Sequence, residues 1–322
     1  MRYAGLICAV AVAASELHAQ APASTLLILN KSDATLSIVD AGSGKTVGMV
    51  PTGDGPHEVA ATADGRLAFV TNYGDRTPGN TLSVIDLAGR RESRRVDLGT
   101  LRQPHGLIVV DGKALFTAEG ARSIALFDPV ANRIAWRLET GQLVTHMIVA
   151  SRDGRTLFTS NMGSNTISVI ENSGGQWRQT LVPVGAGPEG LDLSPDGREL
   201  WTAHSRDGGV SVIDVAARKV VQTIDAGTRR SNRLKFTRDG AHALISDLDA
   251  GEVVFIDVKA RRVAKRLPVG RMVEGILIAP DGRRAYVAVT GENRVAAIDL
   301  QNMEVVQTIA TGQGPDGMAW VN

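Results

Sequence analysis

Residues 190–227 read GLDLSPDGRELWTAHSRDGGVSVIDVAARKVVQTIDAG. Four short runs rich in Val, Ile and Thr stand out: GLDLS, ELWTAHS, VSVIDV and KVVQTIDAG. Pro-Asp-Gly follows the first run and Ala-Ala-Arg-Lys the third. β-Branched runs broken by such turns read as antiparallel strands joined by hairpins. Nothing of comparable length in the chain has helical periodicity.

Moving outward, the pattern repeats. Asp-Gly turns recur at Asp64, Asp111, Asp153, Asp196, Asp239 and Asp281, with steps of 47, 42, 43, 43 and 42. An acid closes a β-branched run at Asp40, Asp86, Asp128, Glu171, Asp214, Asp257 and Asp299, and a glycine ends each unit at Gly53, Gly99, Gly141, Gly185, Gly227, Gly270 and Gly312. Four antiparallel strands every 42 or 43 residues are the signature of a β-propeller blade, which must stack on its neighbours to bury both faces. The count predicts an all-β, seven-bladed propeller. Its first unit starts at Thr25, on what is the second strand elsewhere, and the last ten residues, QGPDGMAWVN, match a first strand. The C-terminal strand is therefore expected to complete the N-terminal blade and close the ring, leaving no unpaired edge.

The chain of 322 residues carries Lys+Arg 35 against Asp+Glu 34. A balance so near neutrality argues against a protein built as a whole to coat nucleic acid or acidic membranes. Arg2, the apolar run Tyr3–Ala14 and the small residues near Ala19 and Ala21 read as a secretory signal over residues 1–21. The run is too short to span a membrane. Cleavage would remove Cys8, the sole cysteine, and leave one propeller domain over residues 22–322 in the periplasm or outside the cell.

FVTNYGDRTPGNTLSVID (residues 69–86) and FTSNMGSNTISVIE (158–171), with the SPDGRELW turn (194–201), resemble the YVTN-type repeat. In that repeat an aromatic-Val-Thr-Asn strand end precedes a polar loop and an S-[IV]-[IV]-D strand. The chain resembles YncE-like exported propellers, relatives of the quinoprotein amine dehydrogenase and nitrous oxide reductase propellers. The resemblance implies the seven-bladed fold and says little about chemistry. The pattern departs from its usual Asn at Ala118-Glu119, His204, Asp247 and Val289.

First strands line a propeller's channel. Counting seven residues back from each Asp-Gly aspartate gives His57, His146, Glu189, Asn232 and Glu274; the unit one residue shorter gives His105, and the C-terminal strand gives Asp316. A neighbouring ring on the same face holds Asn30, Asn72, Glu119, Asn161, His204, Asp247 and Val289. A wet channel mouth accounts for polarity at both rings, and Asn at a strand end serves loop backbone groups. The clustering points further. His57, His105 and His146 begin consecutive blades and face carboxylates, and neutral imidazoles with carboxylates ligate Zn²⁺, Cu²⁺ or Fe²⁺. These three histidines are the candidate metal ligands.

GSGKT at residues 42–46 imitates a phosphate-binding loop, but the required first glycine is Val39 and no helix follows. Basic residues gather in turns on the opposite face, among them Arg90, Arg91, Arg94, Arg95, Arg218, Lys219, Lys259, Arg261 and Arg262. They suit a solvated rim or a polyanion-binding surface, although aromatics for stacking single-stranded bases make up only 4% of the chain. Three readings follow. The first is an exported binding or scaffold module whose small-molecule or protein partner meets the histidine-bearing face. The second is a metal-dependent lyase or hydrolase with Glu189, Glu274 or His204 as base. The third is a polyanion or single-stranded nucleic-acid binder on the basic face.

Overall fold

A computed structural model describes residues 24–321; the expected signal segment, 1–21, lies outside the described residues. Seven sheets of four antiparallel strands form the ring. The Leu67–Asn72 and Thr81–Asp86 pair illustrates the common plan: the four middle residues of each strand are buried, because neighbouring blades cover both faces of the sheet. The outermost strand of that blade, Arg91–Asp97, alternates exposed and half-buried residues, as expected where one face meets water. Two single 3₁₀ turns, Glu119–Ala121 and Thr290–Glu292, are the only helical elements among the described residues. None of these is long and apolar enough to cross a membrane.

The repeat markers have mechanical roles. Asp40, Asp86, Asp128, Asp214, Asp257 and Asp299 each accept backbone N–H bonds in the turn that follows, between 2.7 and 3.0 Å. Asp64 and Asp196 brace the Asp-Gly turns through Thr62, Ser194 and the backbone N–H groups of Arg66 and Arg198. The GSGKT segment lies in such a turn, leading into the edge strand Lys45–Pro51.

Closure occurs as the repeat count requires. Pro315–Val321 pairs antiparallel with Thr25–Asn30, matching Thr25 to Val321 and Ile28 to Met318. Trp320 meets Tyr286 of the seventh blade with ring centroids 5.8 Å apart. Apolar clusters sit between blades; one joins Leu26, Ile28 and Val39 to Tyr286, Val295 and Ala297 across the closure.

Candidate functional site

His57, His105, His146, Glu189, Asn232, Glu274 and Asp316 are each the second residue of an innermost strand. In all seven blades the register between the innermost and second strands slips at this point. A slip of this kind breaks strict alternation and re-aims side chains, so two consecutive residues can serve the channel. At the second of those positions, Gly106, Gly190, Gly275 and Gly317 admit the backbone of the next blade. A Cβ on Gly317 would overlap the His57 carbonyl oxygen, and one on Gly106 would lie 2.5 Å from the His146 carbonyl oxygen. Glu58 and Arg233 fill the same position in the second and sixth blades and meet as an ion pair. Those blades are not neighbours, so the pair spans the channel and bars it one residue below the ring.

The three histidines stack. Ring centroids are 4.2 Å apart for His57 and His105 and 3.9 Å for His105 and His146. Tyr73 stands against both His57 and His105, with centroids 5.2 and 5.6 Å away. His146 Nδ1 lies 2.6 Å from Glu119 Oε1. Glu119 Oε2 accepts the Tyr73 hydroxyl at 2.7 Å, which in turn accepts Gln103 Nε2 at 2.8 Å. In the tautomer whose Nδ1–H donates to Glu119, the His146 lone pair lies on Nε2. His146 Nε2 is buried without a partner, as are both ring nitrogens of His105. Burial holds the His57 and His105 rings well below the usual imidazole range; Asp316 partly offsets this for His57, while His146 and His57 reinforce it for His105. His57 and His105 are thus held neutral. Donor atoms of His105, Glu119 and His146 lie within 4.8 Å of one another.

The opposite wall is acidic. Lys31 Nζ lies 3.4 Å from Asp316 Oδ2 and 3.6 Å from Glu274 Oε2, and His57 Nε2 lies 3.6 Å from Asp316 Oδ2. Burial pushes the Glu274 carboxyl up to about 7, with the Asp316 charge adding and Lys31 opposing. Desolvation acts against the Asp316 charge too, but Lys31, His57 and Arg233 outweigh it and hold that carboxyl below its ordinary value. Asn232 Nδ2 donates to Glu189 Oε1 at 2.7 Å, and Arg233 Nη1 to Asn232 Oδ1 at 3.2 Å. Glu58, Glu119, Glu189, Glu274 and Asp316 surround the mouth, against the cations Lys31 and Arg233. The wall is short of positive charge.

The second ring behaves differently. Asn30, Asn72 and Asn161 donate their amides to Thr and Ser hydroxyls of the next strand in their own blades. His204 takes the same place, with Nε2 3.0 Å from Ser211 Oγ and Nδ1 2.8 Å from Asp207. Asp247 accepts the backbone N–H groups of Arg229 and Arg230 at 2.7 and 3.0 Å. Glu119 is not in register with them. The strand-end position in its blade is Ala118, paired with Pro104 as Asn72 is with Pro56. Glu119 is one residue further on, equivalent to Lys31, Tyr73 and Thr290, and that third ring is the one that reaches the mouth. Sequence reasoning missed Lys31, Tyr73, Glu58 and Arg233. The available signal was a charged residue where four other units carry glycine.

No protein-family model and no curated protein matches the chain. Solved structures do. A putative 6-phosphogluconolactonase from Bacteroides fragilis aligns with a TM-score of 0.76 at 16% identity, over 93% of this chain and 98% of its own. The periplasmic gluconolactonase of Pseudomonas aeruginosa aligns with a TM-score of 0.74 at 20% identity, over 93% and 99%. Hydrazine synthase of Kuenenia stuttgartiensis aligns with a TM-score of 0.68 at 22% identity, over 81% and 88%. At these identities the likeness establishes the propeller fold. It supplies no support for the narrower YVTN-type membership.

On the far face, Arg91, Arg95, Arg218 and Arg261 each pair with a carboxylate, of Asp86, Glu92, Glu171 and Glu199 respectively. A cavity of about 590 Å³ there is lined by Val110, Arg152, Asp153, Asp192 and Lys235, a mixed set of charges.

Proposed function

We propose that this protein binds one divalent transition-metal ion at the channel mouth. A ring nitrogen of His105 and Nε2 of His146 are the protein donors. Glu119 orients His146 from behind, in the carboxylate–histidine arrangement that fixes a ligating imidazole. The observation that carries the reading is the set of buried imidazole nitrogens without hydrogen-bond partners on His105 and His146. A buried polar atom without a partner is costly, and an ion would supply the missing one. The shortage of positive charge around the mouth supports the same assignment. His57 stacks on the pair but turns Nε2 towards Asp316, so it borders the ion. An exported setting fits the N-terminal segment and the periplasmic neighbour.

The test is metal content and thermal shift with Zn²⁺, Cu²⁺ and Mn²⁺. An ion at a hundredfold excess over its Kd adds about 2.7 kcal/mol of stability. Glu119→Gln is expected to weaken binding about 10- to 100-fold, and His146→Ala to abolish it. If no metal raises the melting temperature of the wild-type protein, the reading is wrong.

A second reading, metal-assisted hydrolysis of an ester or lactone, is favoured by the donor set. Two nitrogens leave coordination positions for water and a carbonyl oxygen. The 6-phosphogluconolactonase and gluconolactonase neighbours are compatible with it. Turnover of a simple lactone before and after chelation tests it.

A further inference from the structure

The acidic wall opposite the histidines has no part in holding an ion, yet it gathers two buried carboxyls, Glu274 and Asp316, around one ammonium, that of Lys31. We propose that Glu274 donates the proton to the departing alkoxide when this mouth hydrolyses an ester or lactone with an aliphatic alcohol leaving group. This rests on the hydrolytic reading above and assigns its missing acid.

The geometry supplies three arguments. Glu274 is only 7% exposed, on the ring that lines the mouth, and its Oε2 has no hydrogen-bond partner. Asp316 and Lys31 fix its surroundings, since Lys31 Nζ lies within 3.6 Å of a carboxylate oxygen on each acid. Two buried carboxyls sharing one ammonium cannot both ionise cheaply, and Asp316 has the better partners, in Lys31, His57 and Arg233. Glu274 is left as the proton holder. The remaining groups that face it are Arg233, which favours its ionised form, and the Thr290 hydroxyl. Finally, Arg233 and Glu58 meet across the channel. Side chains of opposite walls therefore converge, and a small molecule resting on that bar would touch the histidine wall and the acidic wall together.

The step balances simply. Water adds its oxygen to the carbonyl carbon and releases a proton to solvent. The bond from that carbon to the alcohol oxygen breaks, and Glu274 passes its proton to the alkoxide. Glu274 is then reprotonated from solvent. A bound ion would contribute Lewis acidity to the water and the carbonyl. An acid is required only when the leaving group is basic, which separates substrates.

The experiment compares δ-valerolactone with p-nitrophenyl acetate on the metal-loaded, full-length protein and on Glu274→Gln. Removing a general acid costs about 10²–10⁴-fold. The ratio of lactone to p-nitrophenyl acetate turnover should therefore fall at least about tenfold in the variant, with metal content unchanged. An unchanged ratio overturns the assignment. Metal-loaded wild-type protein that turns over neither substrate also overturns it, while metal content shows separately whether the ion-binding reading survives. An infrared titration keeps the proposal open to refutation should the variant misfold. The wild-type protein should show a protonated-carboxyl band that disappears with a midpoint near neutral pH, and its absence below pH 6 also overturns the assignment.

Discussion

Replacing Arg233 by Met removes the only cation among the described residues that pairs across the channel. Arg233 is 4% exposed and faces Glu58 and Asp316. Desolvation opposes its charge, but Glu58, Asp316, Glu189 and Glu274 more than restore it. Met fills similar volume, so the loss is electrostatic. Removing one partner of a buried ion pair costs about 3–5 kcal/mol, because the other charge is left uncompensated. Unfolding entropy of about 2.1 cal/mol/K per residue, over the 298 residues from 24 to 321, gives about 0.6 kcal/mol/K. The melting temperature should therefore fall by about 5–8 °C, read by calorimetry or circular dichroism at pH 7.5. The deficit should shrink in acid, where a protonated Glu58 needs no partner. Burial already lifts the Glu58 carboxyl, against the pull of Arg233. Adding Glu58→Leu to Arg233→Met should recover most of the loss, since apolar replacement of a whole buried pair is often neutral. If Arg233→Met melts within about 1 °C of wild type (under 1 kcal/mol by the same entropy), the bar across the channel has no mechanical weight and this reasoning fails.

Three further outcomes are expected. A chain ending at Gly312 loses the closing strand Pro315–Val321, and with it the Trp320–Tyr286 contact and Asp316. It should expose two blade edges and aggregate, whereas cooperative unfolding at the wild-type temperature would contradict the closure. Gly317→Ala places a methyl group against the His57 backbone and should cost about 1–3 kcal/mol, visible as a lower denaturant midpoint with unchanged m. Glu274 has a folded-state pKa raised to about 7 from an unfolded value of about 4.3. Its contribution to stability is fully present below the unfolded value and is lost as pH rises through about 7. Glu274→Gln should therefore flatten the pH–stability curve between about 4.3 and 7; identical curves for the two proteins would refute the shift.

Much of the molecule was legible in the chain alone. The repeat period, the acid after each third strand and the split first blade specify seven blades and their closure, because each marker serves a local need. An aspartate caps its own turn, and an Asp-Gly step allows a tight reversal within a few residues. The inner ring was legible for the same reason: one position per repeat, counted from a turn, marks His57, His105, His146, Glu189, Asn232, Glu274 and Asp316. Choosing among polar rings was not. Asn72, Asn161 and His204 bond within their own blades, while Glu119, one residue beyond the strand end, joins His146 in the next blade. Period-2 alternation turns consecutive residues to opposite faces, so the charges at Glu58 and Arg233, where four other units carry glycine, gained a place in the channel only through the register slip in every inner strand. Their meeting across the axis, 175 residues apart in sequence, depends on ring curvature. Curvature is a sum over seven packed interfaces, and no single repeat encodes it.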